Sequence, residues 1–456
     1  MIKLGIEIAN NIVKIITLNF KEVLFMLALL GFITIIALLA VIMTKKATPV
    51  LALIVIPVIT TLIGGSGFQI GKFITDGVKS IAPTGTMFIF AILFFGILTD
   101  AGTFDPIINK VLKVVGKDPV KITIGTGILA MLVHLDGSGA VTFLVTVPAM
   151  LPLYDALGMR RTTLATVVAL SAGVMNILPW GGPTIRAATS LKVSVTELFN
   201  PLLIPVIVGI IFVPFVDYRL GKMEKSRISH ENTTDVNVDR RIDEEKAKLA
   251  RPKLFIVNII TIVVAIALLI SDKLPPTVVF MIAFSISMMI NYPSVKDQRE
   301  RVDAHAKEAL MMASILFAAG AFIGIMQNSG MIKEMASVIV SIIPESLGRY
   351  IAIITGVISM PASLLFDPDS FYFGILPVLS EAAKAFGVSG VNVGRAAILG
   401  QMTTGFPISP LTGATFLLIG LTGVDLGEHQ KKTIPYAFAT TIVMLIAALI
   451  VGAIKL

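Results

Sequence analysis

Long apolar runs alternate with short polar breaks along the chain, and the lengths of the runs predict its elements. Runs at 23–43, 49–65 and 83–98 each approach the ~20 residues a membrane-crossing helix needs. Two shorter apolar arms follow, 122–135 and 140–153, separated by Asp136-Gly-Ser-Gly139. Arms of this length are short for a crossing and predict a re-entrant hairpin. A helix over 163–191 is interrupted around Pro179-Trp-Gly-Gly-Pro183, where proline and glycine remove backbone donors and helical preference. The first half-helix is expected to stop near Pro179 and the second to start at Pro183 or Thr184, because proline suits a first helical turn. A crossing at 200–216 precedes an abruptly polar stretch, 219–251, that carries both charge signs around Arg240-Arg-Ile-Asp-Glu-Glu-Lys246. The apolar pattern then resumes with runs at 253–270, 276–290 and 311–326, arms at 351–366 and 371–385, an interrupted helix at 394–421 and a last run at 433–449.

The order of elements repeats, and so do residues. Gly96-Ile-Leu-Thr-Asp-Ala-Gly102 matches Gly324-Ile-Met-Gln-Asn-Ser-Gly330 at an offset of 228, and Pro179 matches Pro407 at the same offset. Asp136 and Asp367 stand 231 apart, and Pro205 and Pro435 stand 230 apart. A nearly constant offset over the whole length indicates an internal duplication. Each half holds five crossings, one of them broken, plus one hairpin that returns to its own side. Five is odd, so the halves are inverted relative to each other. The expected fold is an all-α polytopic membrane protein of two inverted repeats, 23–218 and 252–456, joined by a cytoplasmic linker, 219–251.

Composition agrees: 55% hydrophobic and 14% charged residues with a mean hydropathy of +0.90 exclude an ordinary soluble domain. The net charge of +8 reads as topology rather than as affinity for nucleic acid, because Lys and Arg gather in cytoplasmic loops. With 219–251 placed in the cytoplasm, the loops on that side hold about twice as many Lys and Arg as the other side. That bias puts both termini outside, in a multi-pass protein of the cell membrane. Absence of cysteine removes disulfides and thiolate metal sites, and the four histidines, three of them assigned to polar loops, argue against a zinc enzyme.

Residues 1–22, with Lys3, Glu7, Lys14 and Lys21, form a weakly amphipathic prefix without the small-residue cleavage site of a signal peptide. The run Lys21-Glu-Val-Leu-Phe-Met26 is codable as a ribosome-binding site ahead of a start codon, which predicts translation from Met26 instead of Met1.

Four elements are expected to meet at mid-depth: the tips Asp136-Gly-Ser-Gly139 and Phe366-Asp-Pro-Asp-Ser370, the first break, and the second break Gln401-Met-Thr-Thr-Gly-Phe-Pro-Ile-Ser-Pro-Leu-Thr-Gly-Ala414. Amides of Gly181, Gly182 and Thr184 at the head of a half-helix, beside Arg186, form an expected anion site. Asn176, Ser138, Thr404, Ser409 and Thr412 complete the substrate-binding set. Arg186 offers a planar fork suited to carboxylates; its bland alternative is a structural bridge to Asp136 or Asp367. Asp136, Asp367, Asp369 and Ser370 are assigned to metal or proton coupling, with helix capping as the bland alternative for Asp367 and Asp369. His134 is read as a packing histidine, Trp180 as a site wall or core residue, Asp100 and Asp105 as loop-facing, and Gly102 and Gly330 as helix stops.

The stretches His134-Leu-Asp-Gly-Ser-Gly-Ala-Val-Thr-Phe143, Pro148-Ala-Met-Leu-Pro-Leu-Tyr154 and Met175-Asn-Ile-Leu-Pro-Trp-Gly-Gly-Pro-Thr-Ile-Arg-Ala-Ala188 resemble the citrate–divalent-metal:proton symporter family of the ion transporter superfamily. Pro83-Thr-Gly-Thr-Met-Phe88 and Asp100-Ala-Gly-Thr-Phe-Asp-Pro106 are also similar, so the likeness spans nearly everything from Met26 on. It implies uptake of citrate complexed with a divalent cation, Mg²⁺ or Ca²⁺ as co-substrate, driven by protons, with no permanently bound cofactor. It also implies a homodimeric scaffold with mobile transport domains moving as an elevator. Complexation makes physical sense, since pairing citrate with a divalent cation lowers the charge to be desolvated. The alternative within the same class is a Na⁺- or H⁺-driven carrier of free di- or tricarboxylates. An anion channel would want a continuous polar pore, and an intramembrane hydrolase has only the weak pairs Ser138–His134 and Asp136–Asp367 to offer.

Overall fold

In a computed structural model, which describes residues 24–42, 44, 46–228, 248–271 and 273–455, eight helices are long and apolar enough to cross a membrane. The first half contains α1 (Leu24–Ile42), α2 (Pro49–Ile63), α3 (Gln69–Asp100), α4 (Asp105–Val115), α5 (Pro119–Val133), α6 (Gly139–Ala156), α7 (Arg161–Met175), α8 (Gly182–Leu191) and α9 (Leu203–Arg227). The second contains α10 (Phe255–Ser271), α11 (Pro276–Asn291), α12 (Val295–Asn328), α13 (Met331–Ile342), α14 (Ile351–Ala362), α15 (Leu376–Ala385), α16 (Gly390–Ile398), α17 (Gly413–Thr422) and α18 (Leu426–Ile450). Two short turns, Val195–Phe199 and Glu345–Gly348, lie between these helices. Each element of the first half thus has its counterpart nine places later, so the all-α architecture of two inverted repeats is that expected of the duplicated sequence.

Helix bounds follow local chemistry. Asp118 caps α5 by accepting from the Val120 amide at 3.0 Å, and Ser138 caps α6 through Val141. Gly102 and Gly330 end their helices with φ of +68° and +83°, a left-handed conformation that glycine adopts without steric cost. Helix α3 starts well before Pro83 and α12 well before residue 311. The helices α4 and α13, at equivalent places in the two halves, were absent from the expected pattern. Both are amphipathic, with Lys110 and Lys113 exposed on α4, so neither reads as an apolar run. Residues 219–227, assigned to the linker, continue α9; the Arg240–Lys246 cluster and the prefix 1–22 lie outside the described residues.

The helices fall into two groups. Helices α2 and α3 pack with α11 and α12, and α10 packs on α11. Helices α3 and α12 cross at direct backbone contact: a Cβ on Gly77 would stand 2.0 Å from the Gly320 carbonyl oxygen and 2.9 Å from the Gly324 Cα. Asp100, expected to face a loop, instead ties the same two helices together by accepting from Arg301 at 3.0 Å and pairing with His305 at 2.9 Å. The other group gathers α5–α9 with α14–α18 around α7, whose residues from Thr163 to Met175 are all buried. A helix buried on every side belongs at the centre of a body, which is where the first break is needed.

Candidate functional site

Both breaks form where the sequence strips the backbone of helical preference. Helix α7 ends at Met175 and α8 begins at Gly182, with Pro183 in its first turn. In the second half, α16 ends at Ile398 and α17 begins at Gly413, capped by Thr412 through the Thr415 amide. The two breaks touch backbone to backbone, since a Cβ on Gly173 would stand 2.9 Å from the Thr404 Cα and 3.1 Å from the Thr403 carbonyl oxygen. Asn176 donates its amide to the Met402 carbonyl at 2.8 Å. Met402 itself has φ +50°, a costly conformation for a side-chain-bearing residue that persists only where neighbours over-determine it. Here its carbonyl is held by Asn176 and its amide by the Ser363 Oγ at 2.9 Å.

A cavity of about 350 Å³ opens at this junction. Its walls include Asp136, Gly137 and Ser138 of the first tip, Asn176, Trp180, Gly182 and Arg186 of the first break, Pro368 of the second tip, and Met402, Phe406 and Thr412 of the second break. Opposite them stand Phe88, Ala91 and Ile92 of α3 with Glu308 and Met312 of α12. All four elements expected at mid-depth therefore contribute to one cavity.

Arg186, 8% exposed, donates from Nε to Asp369 Oδ1 at 2.7 Å. Its expected partner was Asp136 or Asp367. The pairing engages Nε, and Nη1 lies 2.9 Å from where a Cβ on Gly182 would stand. A side chain at 182 would crowd the fork, so glycine keeps the Nη face clear for a second carboxylate. Asp367 caps its own arm, accepting from the amides of Asp369 at 3.0 Å and Ser370 at 3.1 Å and from the Ser370 hydroxyl. That arm opens with a widened turn of π type, Ser370–Ile375, a distortion often found at functional sites. Asp136 accepts from the Ser138 amide at 2.8 Å and remains on the cavity wall.

Several expected ligands are turned away from the cavity. Thr184 donates to the Ile177 carbonyl at 2.9 Å, Thr404 pairs with Thr441 at 2.6 Å, and Ser409 donates to the Ser363 carbonyl. The Gly181 amide donates to the Leu178 carbonyl at 2.8 Å. Thr184, Ser409 and the Gly181 amide satisfy the polar backbone that a break in a membrane helix exposes, while Thr404 ties the second break to a side chain of α18. His134, fully buried, bonds Thr142 through Nδ1 at 2.8 Å and faces Asn176 Oδ1 at 3.5 Å, the satisfied histidine expected. Trp180 donates to the Leu135 carbonyl at 2.8 Å and stacks on Phe95 of α3 with ring centroids 5.2 Å apart.

Sequence reasoning missed Glu308, which sits in a charged stretch that resembles a loop, and Met402, whose backbone strain has no composition signal. It also misplaced two histidines assigned to polar loops. His305 is on α12 beside Asp100, and His429 is buried on α18, bonding the Pro407 carbonyl of the second break at 2.9 Å. Among the described residues, no three His, Asp or Glu side chains gather closely enough to hold a metal on their own.

Comparisons with known proteins agree with this architecture. A family model described as a citrate transporter (CitMHS) matches residues 23–400. The chain is 46% identical over 430 residues to a citrate transporter of Bacillus subtilis (strain 168), covering 94% of this chain and 100% of that protein. It is 42% identical over 435 residues to the Mg(2+)/citrate complex secondary transporter of the same organism, again covering 94% and 100%. An uncharacterized transporter, YraO, matches at 38% over 439 residues with the same coverage. Among solved structures, the YdaH transporter of Alcanivorax borkumensis, described as having an unusual topology, superposes with a TM-score of 0.57 at 14% identity over 83% of this chain and 86% of that one. At that identity the likeness bears on the fold alone.

Proposed function

The chain belongs to the citrate transporter (CitMHS) family, a family of membrane carriers and not of enzymes, and from that premise we propose that it is a proton-coupled symporter of citrate complexed with a divalent cation of the Mg²⁺ or Ca²⁺ class. The observation that carries this reading is the polarity of the cavity: Arg186 lines one part of it, and the carboxylates Asp136 and Glu308 line others. A substrate with carboxylates and a bound cation presents both charges at once. Among the described residues the acids on the cavity wall are Asp136 and Glu308, and citrate would supply most of the remaining oxygen donors a hard cation needs. The Mg(2+)/citrate relative at 42% identity supports the complexed form.

In this reading Arg186, with Gly182 keeping its fork clear, binds a carboxylate, Asn176, Ser138 and Thr412 shape the cavity, and Asp136 and Glu308 face the cation. Asp369 orients Arg186, and Asp367 and Ser370 hold the second tip. The repeats 23–218 and 252–456 operate as an elevator in a homodimer. The group α5–α9 with α14–α18 carries the site, while α3 and α12 form the fixed wall it slides along. Helix grouping supports that division, since tips and breaks all belong to one group. The loop charge bias favours a cytoplasmic linker and external termini.

The test is uptake of labelled citrate into proteoliposomes across a panel of divalent cations, with and without an inward proton gradient. Uptake that is indifferent to removal of divalent cations would refute the complexed substrate. Replacing Na⁺ by choline at a constant pH gradient separates proton drive from the alternative, a sodium-driven carrier of free carboxylates.

A further inference from the structure

Away from the cavity, on α9, Asp217 is fully buried and neither carboxylate oxygen has a hydrogen-bond partner among the described residues. Ser171 on α7, also fully buried, has an unpartnered Oγ. Both face one notch: a Cβ on Gly127 of α5 would stand 2.0 Å from Asp217 Oδ2 and 3.1 Å from Ser171 Oγ. Glycine at 127 is what makes room for the acid.

An ionised carboxylate in such a place is expensive unless paired. The basic groups toward the end of α9 are engaged with another acid. Glu224, seven residues on and so two turns further along the same face of α9, is paired with Arg160 at 2.7 Å and Arg227 at 2.9 Å, and Lys432 of α18 lies 3.9 Å from it. The remaining titratable groups on the packed helices do not reach the notch as partners. Tyr154 of α6 bonds Thr126 at 3.4 Å, His429 of α18 bonds the Pro407 carbonyl, Lys121 of α5 is exposed, and Arg161 of α7 pairs with Asp155 at 2.7 Å. One carboxylate and one hydroxyl are too few oxygens for a sodium or divalent ion, which takes about six. A proton needs no more than the carboxylate itself.

We propose that Asp217, with Ser171 beside it, is a proton-binding site that loads and unloads during the transport cycle, separate from the substrate cavity. This deepens the proton-coupled reading above and rests on it. The Glu224 cluster, whose arginines are partly exposed, marks the cytoplasmic end of α9, at which the proton leaves. Thr123 lies between, close enough that a Cβ on Gly221 would stand 2.4 Å from its Oγ1. The step is a simple protonation: the carboxylate takes a proton from external water in the outward-facing state and releases it to water at that cytoplasmic end after the group has moved.

The experiment compares wild type with Asp217→Asn and Ser171→Ala as full-length protein, by infrared spectroscopy across pH and by transport in proteoliposomes. Wild type is expected to show a protonated-carboxyl band that disappears at alkaline pH and is missing in Asp217→Asn. That variant should exchange labelled citrate but accumulate none above equilibrium when a proton gradient is imposed. A band that persists unchanged at every pH, or wild-type accumulation by Asp217→Asn, overturns the proposal. Should Asp217→Asn fail to fold, Ser171→Ala decides: removing the hydroxyl beside the acid should move the midpoint of the band, and an unshifted midpoint overturns the proposal. If wild type shows no proton-driven uptake at all, the coupling reading above fails, while the band still reports whether Asp217 titrates.

Discussion

Replacing Arg186 by alanine asks two questions of one residue, and a second substitution separates the answers. The guanidinium sits 2.7 Å from Asp369, which is 4% exposed. Removing one member of a buried ion pair typically costs about 3–5 kcal/mol, because the other charge is left uncompensated. The same truncation deletes a fork whose charge-assisted contact with a substrate carboxylate is worth roughly 1.5–3 kcal/mol. At ~1.4 kcal/mol per decade, that is a loss of about 10- to 150-fold in apparent affinity. In Arg186→Ala with Asp369→Asn, the neutral amide needs no counter-charge, so most of the lost stability should return while citrate binding should not. Thermal unfolding in detergent measures the first quantity, and initial uptake rates against citrate concentration measure the second. Recovery of wild-type uptake in the double variant would refute a substrate role and leave Arg186 as a structural bridge. An Arg186→Ala protein as stable as wild type would refute the pair itself.

Gly173→Ala should be among the more damaging small changes, since its methyl would meet the Thr404 Cα at 2.9 Å; overpacking against backbone costs about 1–3 kcal/mol, to be read as a lower unfolding temperature and poorer yield of folded protein. Gly137→Ala forces φ +78° on a residue with a side chain, at about 1–2 kcal/mol, and is expected to slow uptake more than it lowers stability because the strain falls on the tip; equal loss of both would contradict this. Glu308→Gln should leave stability alone and raise the divalent concentration for half-maximal uptake by up to about fivefold, within the roughly 1 kcal/mol expected of an exposed charge; an unchanged cation dependence would remove Glu308 from the site. The Asp118 carboxyl is held below its ordinary range chiefly by the Val120 amide, with Lys225 adding to it. A depressed folded-state value means the cap's contribution is present above the unfolded value, about pH 4, and fades as pH falls through the folded one; Asp118→Ala should therefore be less stable than wild type at pH 7, by about 0.5–2 kcal/mol, and the gap should close under strongly acidic conditions.

The elements with a hydrophobic signature were legible: apolar runs, their duplication and the two breaks all lie close to where the residue pattern puts them. Amphipathic α4 and α13 were not, because polar residues such as Lys110, Lys113, Lys333 and Glu334 interrupt their apolar runs, and the charged start of α12 reads as loop for the same reason. Within the site, residue types announced a cavity lined by oxygen and one cation, but not which hydroxyls face it. Thr184, Thr404 and Ser409 have the composition of ligands, yet the first and last bond backbone carbonyls and Thr404 bonds Thr441, a distinction made only by the direction in which each break turns. Likewise Asp369 and Asp367 are two residues apart and chemically identical. The widened turn at Ser370–Ile375 follows them, and the structure sends one to Arg186 and keeps the other as a cap.

The glycine crossing of α3 and α12 bears on how the protein is made. Gly77 and Gly320 touch through backbone, so this crossing cannot form until a segment 243 residues later has been synthesised. At 5–20 residues per second, the first half waits in the bilayer for roughly 10–50 s with its closest-packed surface unmatched. The halves are therefore expected to be metastable apart and to complement each other when co-expressed as separate chains, with quality control acting on the interval between them.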